Sequence, residues 1–163
     1  VITSVKKHDT ADKLYCEEID IGEAEGPRAI ASGLVPHYTL EEMQGKRLIV
    51  VANLKPKNLV GFKSFGMVLC AAKMKEDGSE KVEFVDPPAD APIGARVIAE
   101  GMEMYDGLTG AQVDKQKIFE KVAGSLKTNE ETGVAEYKGA KLIVEGEGGG
   151  VCQAPTVKGG MIR

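Results

Sequence analysis

"NLKPKNLVGFKSFGM", Asn53 to Met67, is the stretch on which the reading of this chain turns. It follows the apolar run "RLIVVA" and precedes another, "VLCAA", so it reads as a loop and a strand start held by a packed scaffold. From Asn53 through Lys75 there are five lysines (Lys55, Lys57, Lys63, Lys73, Lys75) and no Asp or Glu, in a chain whose formal net charge is -4. The next segment, Glu76 to Asp106, reverses the balance with nine acids against two bases, Lys81 and Arg96. Charge segregated in this way predicts one positive face on an acidic molecule, and a polyanion is the partner that such a face attracts.

The elements around this stretch are short. Upstream, "ITSVKKH" alternates like a strand, "DTADKL" offers Asp9 as the cap of a short turn, and "YCEEIDIG" alternates again. "PRAIASGLV" follows a Gly-Pro turn. "TLEEMQGK" predicts a short helix with Thr39 as N-cap, Glu42 in capping-box spacing and Gly45 as C-cap. "RLIVVANL" predicts a continuous buried strand, "SFGMVLCAAKM" another, and "DGSEKVEFV" a turn and a last strand. Five or six short strands with one short helix and Gly at the bends predict an all-β fold: an OB-fold five-stranded barrel leads, with an SH3-like barrel or a small sandwich open on periodicity alone.

Beyond the proline-rich "DPPADAPIGARV" the texture changes, which places a boundary near Gly101. Residues 1–101 are expected to form the barrel and residues 102–163 a C-terminal α+β extension packed on it. "DKQKIFEKVAGSL" predicts one amphipathic helix with Ile118, Val122 and Leu126 on a stripe, and "VAEYKGAKLIVEG" a hairpin around Lys138 and Gly139.

Composition narrows the function classes. Hydrophobic residues at 42% and charged residues at 28% belong to a globular protein, and no apolar run approaches the roughly 20 residues that span a bilayer. The three cysteines, Cys16, Cys70 and Cys152, are far apart with no Cys-x-x-Cys, so reduced thiols in a cytoplasmic setting are expected and a metal site is not. His8 and His37 show no nucleophile motif with a cysteine, and "GEGGGV" lacks both the dinucleotide fingerprint and the Lys-Ser/Thr of a P-loop. No catalytic residue and no cofactor are expected. The sequence opens on Val1 in a stretch that already alternates, as a module cut from a longer polypeptide would.

The residues "ADKLYCEEIDIGE", "RAIASGLV", "VANLKPKNLVGFKSFGMVL", "KTNEETGVAEYKG" and "GGGVCQAPTVKGGMIR" together resemble the EMAP II-like tRNA-binding domain. That module stands at the C-terminus of some methionyl- and tyrosyl-tRNA synthetases and in synthetase-associated accessory proteins. The resemblance runs over nearly the whole chain, and N-L-K-P followed by G-x-x-S-x-G-M is its most specific part. It implies an OB barrel, structure-directed tRNA binding, and an extension occupying the surface through which shorter relatives dimerise, hence a monomer. Asn53, Lys55, Pro56 and Ser64 to Met67 fall on the motif positions. Where many members carry a basic residue before the loop glycine, this chain has Val60, which moves one phosphate contact to Lys57 or Lys63 or removes it.

Lysines at 55, 57 and 63 supply point charges that grip phosphate without reading bases. The expected RNA-binding set is Lys55, Lys57, Lys63, Ser64, Asn53 and Phe65, extended by Lys6 and Lys7 on the first strand. Asn53 is expected to bond backbone as well, and Phe65 to offer a ring for stacking. The expected partners are tRNA and a parent or associated aminoacyl-tRNA synthetase, without a membrane. The alternative is a protein-interaction module docking a synthetase complex through the 114–126 stripe, or a cytokine-like fragment.

Overall fold

A computed structural model describes residues 1–163. The chain runs β1 (Ile2–Lys7), β2 (Tyr15–Ile19), β3 (Arg28–Ser32), α1 (Leu40–Met43), β4 (Val50–Val51), β5 (Lys57–Leu59), β6 (Phe62–Ser64), β7 (Met67–Val68), β8 (Cys70–Met74), β9 (Glu80–Phe84) and β10 (Ile98–Ala99). It continues with α2 (Gly110–Lys115), α3 (Ile118–Ala123), β11 (Leu126–Thr128), β12 (Ala135–Tyr137), β13 (Ala140–Val144), β14 (Gly150–Val151) and β15 (Met161–Ile162). The fold is mostly β with a few short helices, a curled antiparallel arrangement consistent with an OB-like barrel. No helix is long and apolar enough to cross a membrane.

The sheets are β1-β2-β3, the pairs β4-β7 and β5-β6, and a larger sheet ordered β10-β13-β12-β11-β15-β8-β9 with β14 on β13. In β2 the period of two turns Tyr15 and Ile19 inward, where they meet Ile2, Ile30, Leu34, Met43, Val68, Cys70 and Phe84 in the barrel core. A second core gathers Ile49, Leu69, Ala71 and Val85 with Leu126, Ala135, Leu142, Val144, Cys152 and Ile162. Val68 and Cys70 therefore face one core while Leu69 and Ala71 face the other, and Phe84 and Val85 divide in the same way. Alternation along one buried stretch fastens barrel and extension together.

β15 completes the join. Met161 pairs with Ala72 of β8 on one side and Lys127 of β11 on the other, and Ile162 pairs with Ala71. A buried carboxylate adds a side-chain link: Glu83 accepts from the Thr156 backbone N–H at 2.6 Å, from the Thr156 hydroxyl at 3.0 Å and from the Val157 N–H. β10, before the expected boundary at Gly101, pairs with β13 beyond it.

Several local expectations change. The capping box of α1 forms as read, with Gln44 as C-cap and Gly45 following at a φ of 74°. The turn after β1 is capped by His8 instead of Asp9, its Nδ1 accepting from the Thr10 and Ala11 N–H groups. "RLIVVANL" ladders over Val50–Val51 alone, and residues 46–49 before it pair with no strand. The helix expected over 114–126 is two helices, broken at Lys117 with a φ of 52°, and Leu126 belongs to a strand. Ile118 and Val122 line an apolar cleft of about 650 Å³ between β4 and α2–α3. The Lys138–Gly139 turn joins β12 to β13 as expected.

One buried group stands apart from the apolar core. Glu17, 1% exposed, shares the inward face of β2. The Ser32 hydroxyl donates to its Oε1, Oε2 has no partner, and burial pushes the carboxyl up to about 8. Cys70 lies close enough that the Glu17 charge adds to burial in raising its thiol to about 12.

Candidate nucleic-acid interface

The quoted stretch is a loop, Asn53–Pro56, followed by the hairpin β5–β6. Lys57 pairs with Ser64, Asn58 with Lys63 and Leu59 with Phe62. The turn is Val60 and Gly61, both left-handed with φ of 50° and 83°, the two-residue geometry whose twist suits a hairpin. His8 Nε2 lies 2.9 Å from the Val60 carbonyl oxygen, which ties the end of β1 to the hairpin tip. Lys6 and Lys7, exposed, directly precede this tie on β1, and Lys57 and Lys63 are exposed on the hairpin it holds.

The register divides the lysines. Lys57 projects with Leu59, Phe62 and Ser64, the face that packs on β3, and stays exposed at its end. Lys63 projects the other way, over the Phe65 ring at 5.2 Å from Nζ to centroid. Lys55 sits in the loop with its Nζ 3.4 Å from Asp114 Oδ2, an exposed pair of little strength.

Two expected contact residues also do structural work. Ser64 is 3% exposed, its hydroxyl accepting from the Ala31 N–H and donating to the Gly66 carbonyl, both at 3.1 Å. It fixes the loop from within the protein. Asn53 is exposed and donates through Nδ2 to the Leu108 carbonyl at 3.0 Å, so it ties the loop to the extension. Gly66 explains the motif's third fixed position: a Cβ there would lie 3.0 Å from Ile30 Cδ1 and 3.1 Å from the Val51 carbonyl oxygen.

Arg28 is the residue that sequence reasoning passed over. Its Nε donates to Glu23 at 2.7 Å, its Nη2 to the same carboxylate at 2.5 Å, and its Nη1 to the Ala52 and Phe65 carbonyls at 2.5 and 2.9 Å. The Glu23 carboxylate raises the pKa of the guanidinium and is itself held below its usual range by Arg28. One fork therefore clamps the start of the loop to the end of the hairpin. Asp114, Leu108 and Gly110 were also missed, because they meet the loop from more than fifty residues away. Their only sequence signal is the Thr109–Gln112 capping box, which marks a helix start and says nothing of the loop.

Residues 1–96 match the family model described as "Putative tRNA binding domain". The chain belongs to this tRNA-binding domain family. The C-terminal domain of Plasmodium vivax p43 superposes with a TM-score of 0.82 at 35% identity, covering 99% of this chain and 92% of that one. Aminoacyl tRNA synthase complex-interacting multifunctional protein 1 of Mus musculus is 40% identical over 99% of the chain and 49% of its own length. Tyrosine–tRNA ligase, cytoplasmic, of Gallus gallus is 38% identical over 99% of the chain and 29% of its own length. The chain thus spans about half or less of the curated relatives it matches. The resemblance read from the motifs holds, and the similarity extends past the family model through the α+β extension.

Proposed function

We propose that this chain is a non-catalytic tRNA-binding domain that is carried by, or associates with, an aminoacyl-tRNA synthetase of the methionyl or tyrosyl class in the cytoplasm. The observation that carries the reading is the β5–β6 hairpin with its loop: exposed Lys55, Lys57 and Lys63, joined through His8 to the Lys6–Lys7 end of β1, in the part of the chain that matches the family model, with Lys55 on a motif position. Residues 1–101 act as the tRNA-binding domain, and residues 102–163 as an extension that supports the loop and keeps the chain monomeric. The interaction stripe of 114–126 has less to support it, because Leu126 is buried and Ile118 lines the chain's own cleft.

Point charges on two faces of a hairpin fit a shaped, folded RNA better than a flat strand. Neutralising three to five phosphates gives a log-log salt slope of roughly -2 to -5. Changing Lys55, Lys57 and Lys63 together to Ala is expected to weaken bulk tRNA about 100-fold at 0.1 M salt and to flatten that slope by about 2 units. Filter binding at two salt concentrations measures both, and unaltered affinity in the triple variant removes the site.

Asp114 competes with phosphate for Lys55. Asp114→Asn is expected to tighten tRNA binding about 2- to 4-fold at low salt, with the gain vanishing as salt screens the pair. A weakened complex in the same assay would show that Asp114 orders Lys55 for binding.

A further inference from the structure

Beside the hairpin lies an open concavity of about 570 Å³, within the size range of small-ligand sites, walled by Arg28, Ala52, Asn53, Pro56, Phe65 and Gly110. It spans the junction of the two parts of the chain. Arg28 pins two of its sides through the Ala52 and Phe65 carbonyls, and with Glu23 accepting from Nε and Nη2 four of the guanidinium's five N–H donors are committed within the protein. On the opposite side Gly110 lets the start of α2 close against the loop, since a Cβ there would stand 2.9 Å from the Leu54 carbonyl carbon and oxygen. The walls are thus preformed, and their one cation, Arg28, is paired with Glu23, which does not suit a bare phosphate.

They suit a flat, polar-edged ring. Phe65 is 38% exposed and offers an aromatic surface. Asn53 donates one Nδ2 proton to the Leu108 carbonyl and keeps Oδ1 as an acceptor to which no group of the chain donates. The charges stand at the rim: Lys55 lies between Leu54 and Pro56, which both line the concavity, and Lys63 reaches over Phe65. We infer that this concavity holds one unstacked nucleobase of a bound RNA, against Phe65 and with an exocyclic or ring N–H donated to Asn53 Oδ1, while the adjoining phosphate rests on Lys55 or Lys63. The inference rests on the RNA-binding reading above and adds to it a subsite to which the extension contributes.

The test is a titration of the isotope-labelled chain with adenosine 5′-monophosphate and, separately, with ribose 5-phosphate, followed by amide NMR, beside tRNA binding on the same samples. The base-bearing ligand is expected to shift the amides of Ala29, Asn53, Leu54, Phe65 and Gly110 and to bind at least 10-fold more tightly than the sugar phosphate. Phe65→Leu is expected to weaken it about 5- to 100-fold, the range of one base–aromatic stack, with an unchanged amide spectrum elsewhere. Equal binding of the two ligands, or shifts confined to the lysines, overturns the base subsite while the tRNA reading stands. Wild-type tRNA binding that ignores the lysine triple variant overturns that reading instead, and the pocket shifts then judge the subsite by themselves.

Discussion

Glu17→Gln is expected to stabilise the protein by about 3 to 5 kcal/mol at pH 9 and to change little at pH 4. In the wild type the folded carboxyl titrates at about 8 against an ordinary 4.5, so between those values the folded state holds a proton that the unfolded chain has lost. Stability is complete below about pH 4.5 and falls by about 1.4 kcal/mol per pH unit as the pH rises towards 8, where the loss levels off. Gln keeps the shape, accepts from Ser32 through its amide oxygen and never ionises, so its stability profile should be flat across that window. Urea unfolding at pH 4, 7 and 9 reads the difference. A wild-type profile that is level from 5 to 8, or a Gln variant no more stable at pH 9, would refute the buried proton. Cys70, whose thiol titrates far higher, does not contribute in this range.

Glu83→Ala is the second large effect, an expected loss of about 3 to 5 kcal/mol. The carboxylate is buried and takes three hydrogen bonds from Thr156 and Val157, so its removal leaves two backbone N–H groups without their acceptor, that of Val157 in the buried core. The damage should be local to the join: amide exchange in β15 and in residues 154–158 should accelerate well before exchange in β1–β3. Lys81 borders this seam, its ammonium donating to the Thr156 hydroxyl and standing 3.9 Å from Glu83, half in solvent. Chemical denaturation with parallel exchange measurements separates the two regions, and a loss below about 1 kcal/mol would mean that the seam holds without Glu83.

The same two residues show what sequence can and cannot carry. Glu17 sits in an alternating strand that was legible from its period, yet the period alone places a carboxylate inward without saying that Ser32 awaits it. The capping box of Thr39 and Glu42 and the Lys138–Gly139 turn were legible because their chemistry closes within four residues. The break at Lys117 was not, since the apolar spacing of Ile118, Val122 and Leu126 satisfies a continuous helix equally well. For the site, the lysines and Phe65 could be picked out as an acid-free run, but their division between two hairpin faces depends on a turn at Val60–Gly61 that a β-branched residue does not advertise. Arg28, Leu108, Gly110 and Asp114 meet the loop only through tertiary structure.

The insertion of Met161–Ile162 between β8 and β11 sets an order of events during synthesis. Both flanking strands leave the ribosome before the strand that unites them. A nascent chain paused at Lys158 holds two sheets whose facing edges are open, and nearly ninety residues separate Ala72 from its partner. The closing step is therefore slow and long-range, and until it occurs those edges are free to capture a strand from a neighbouring polypeptide.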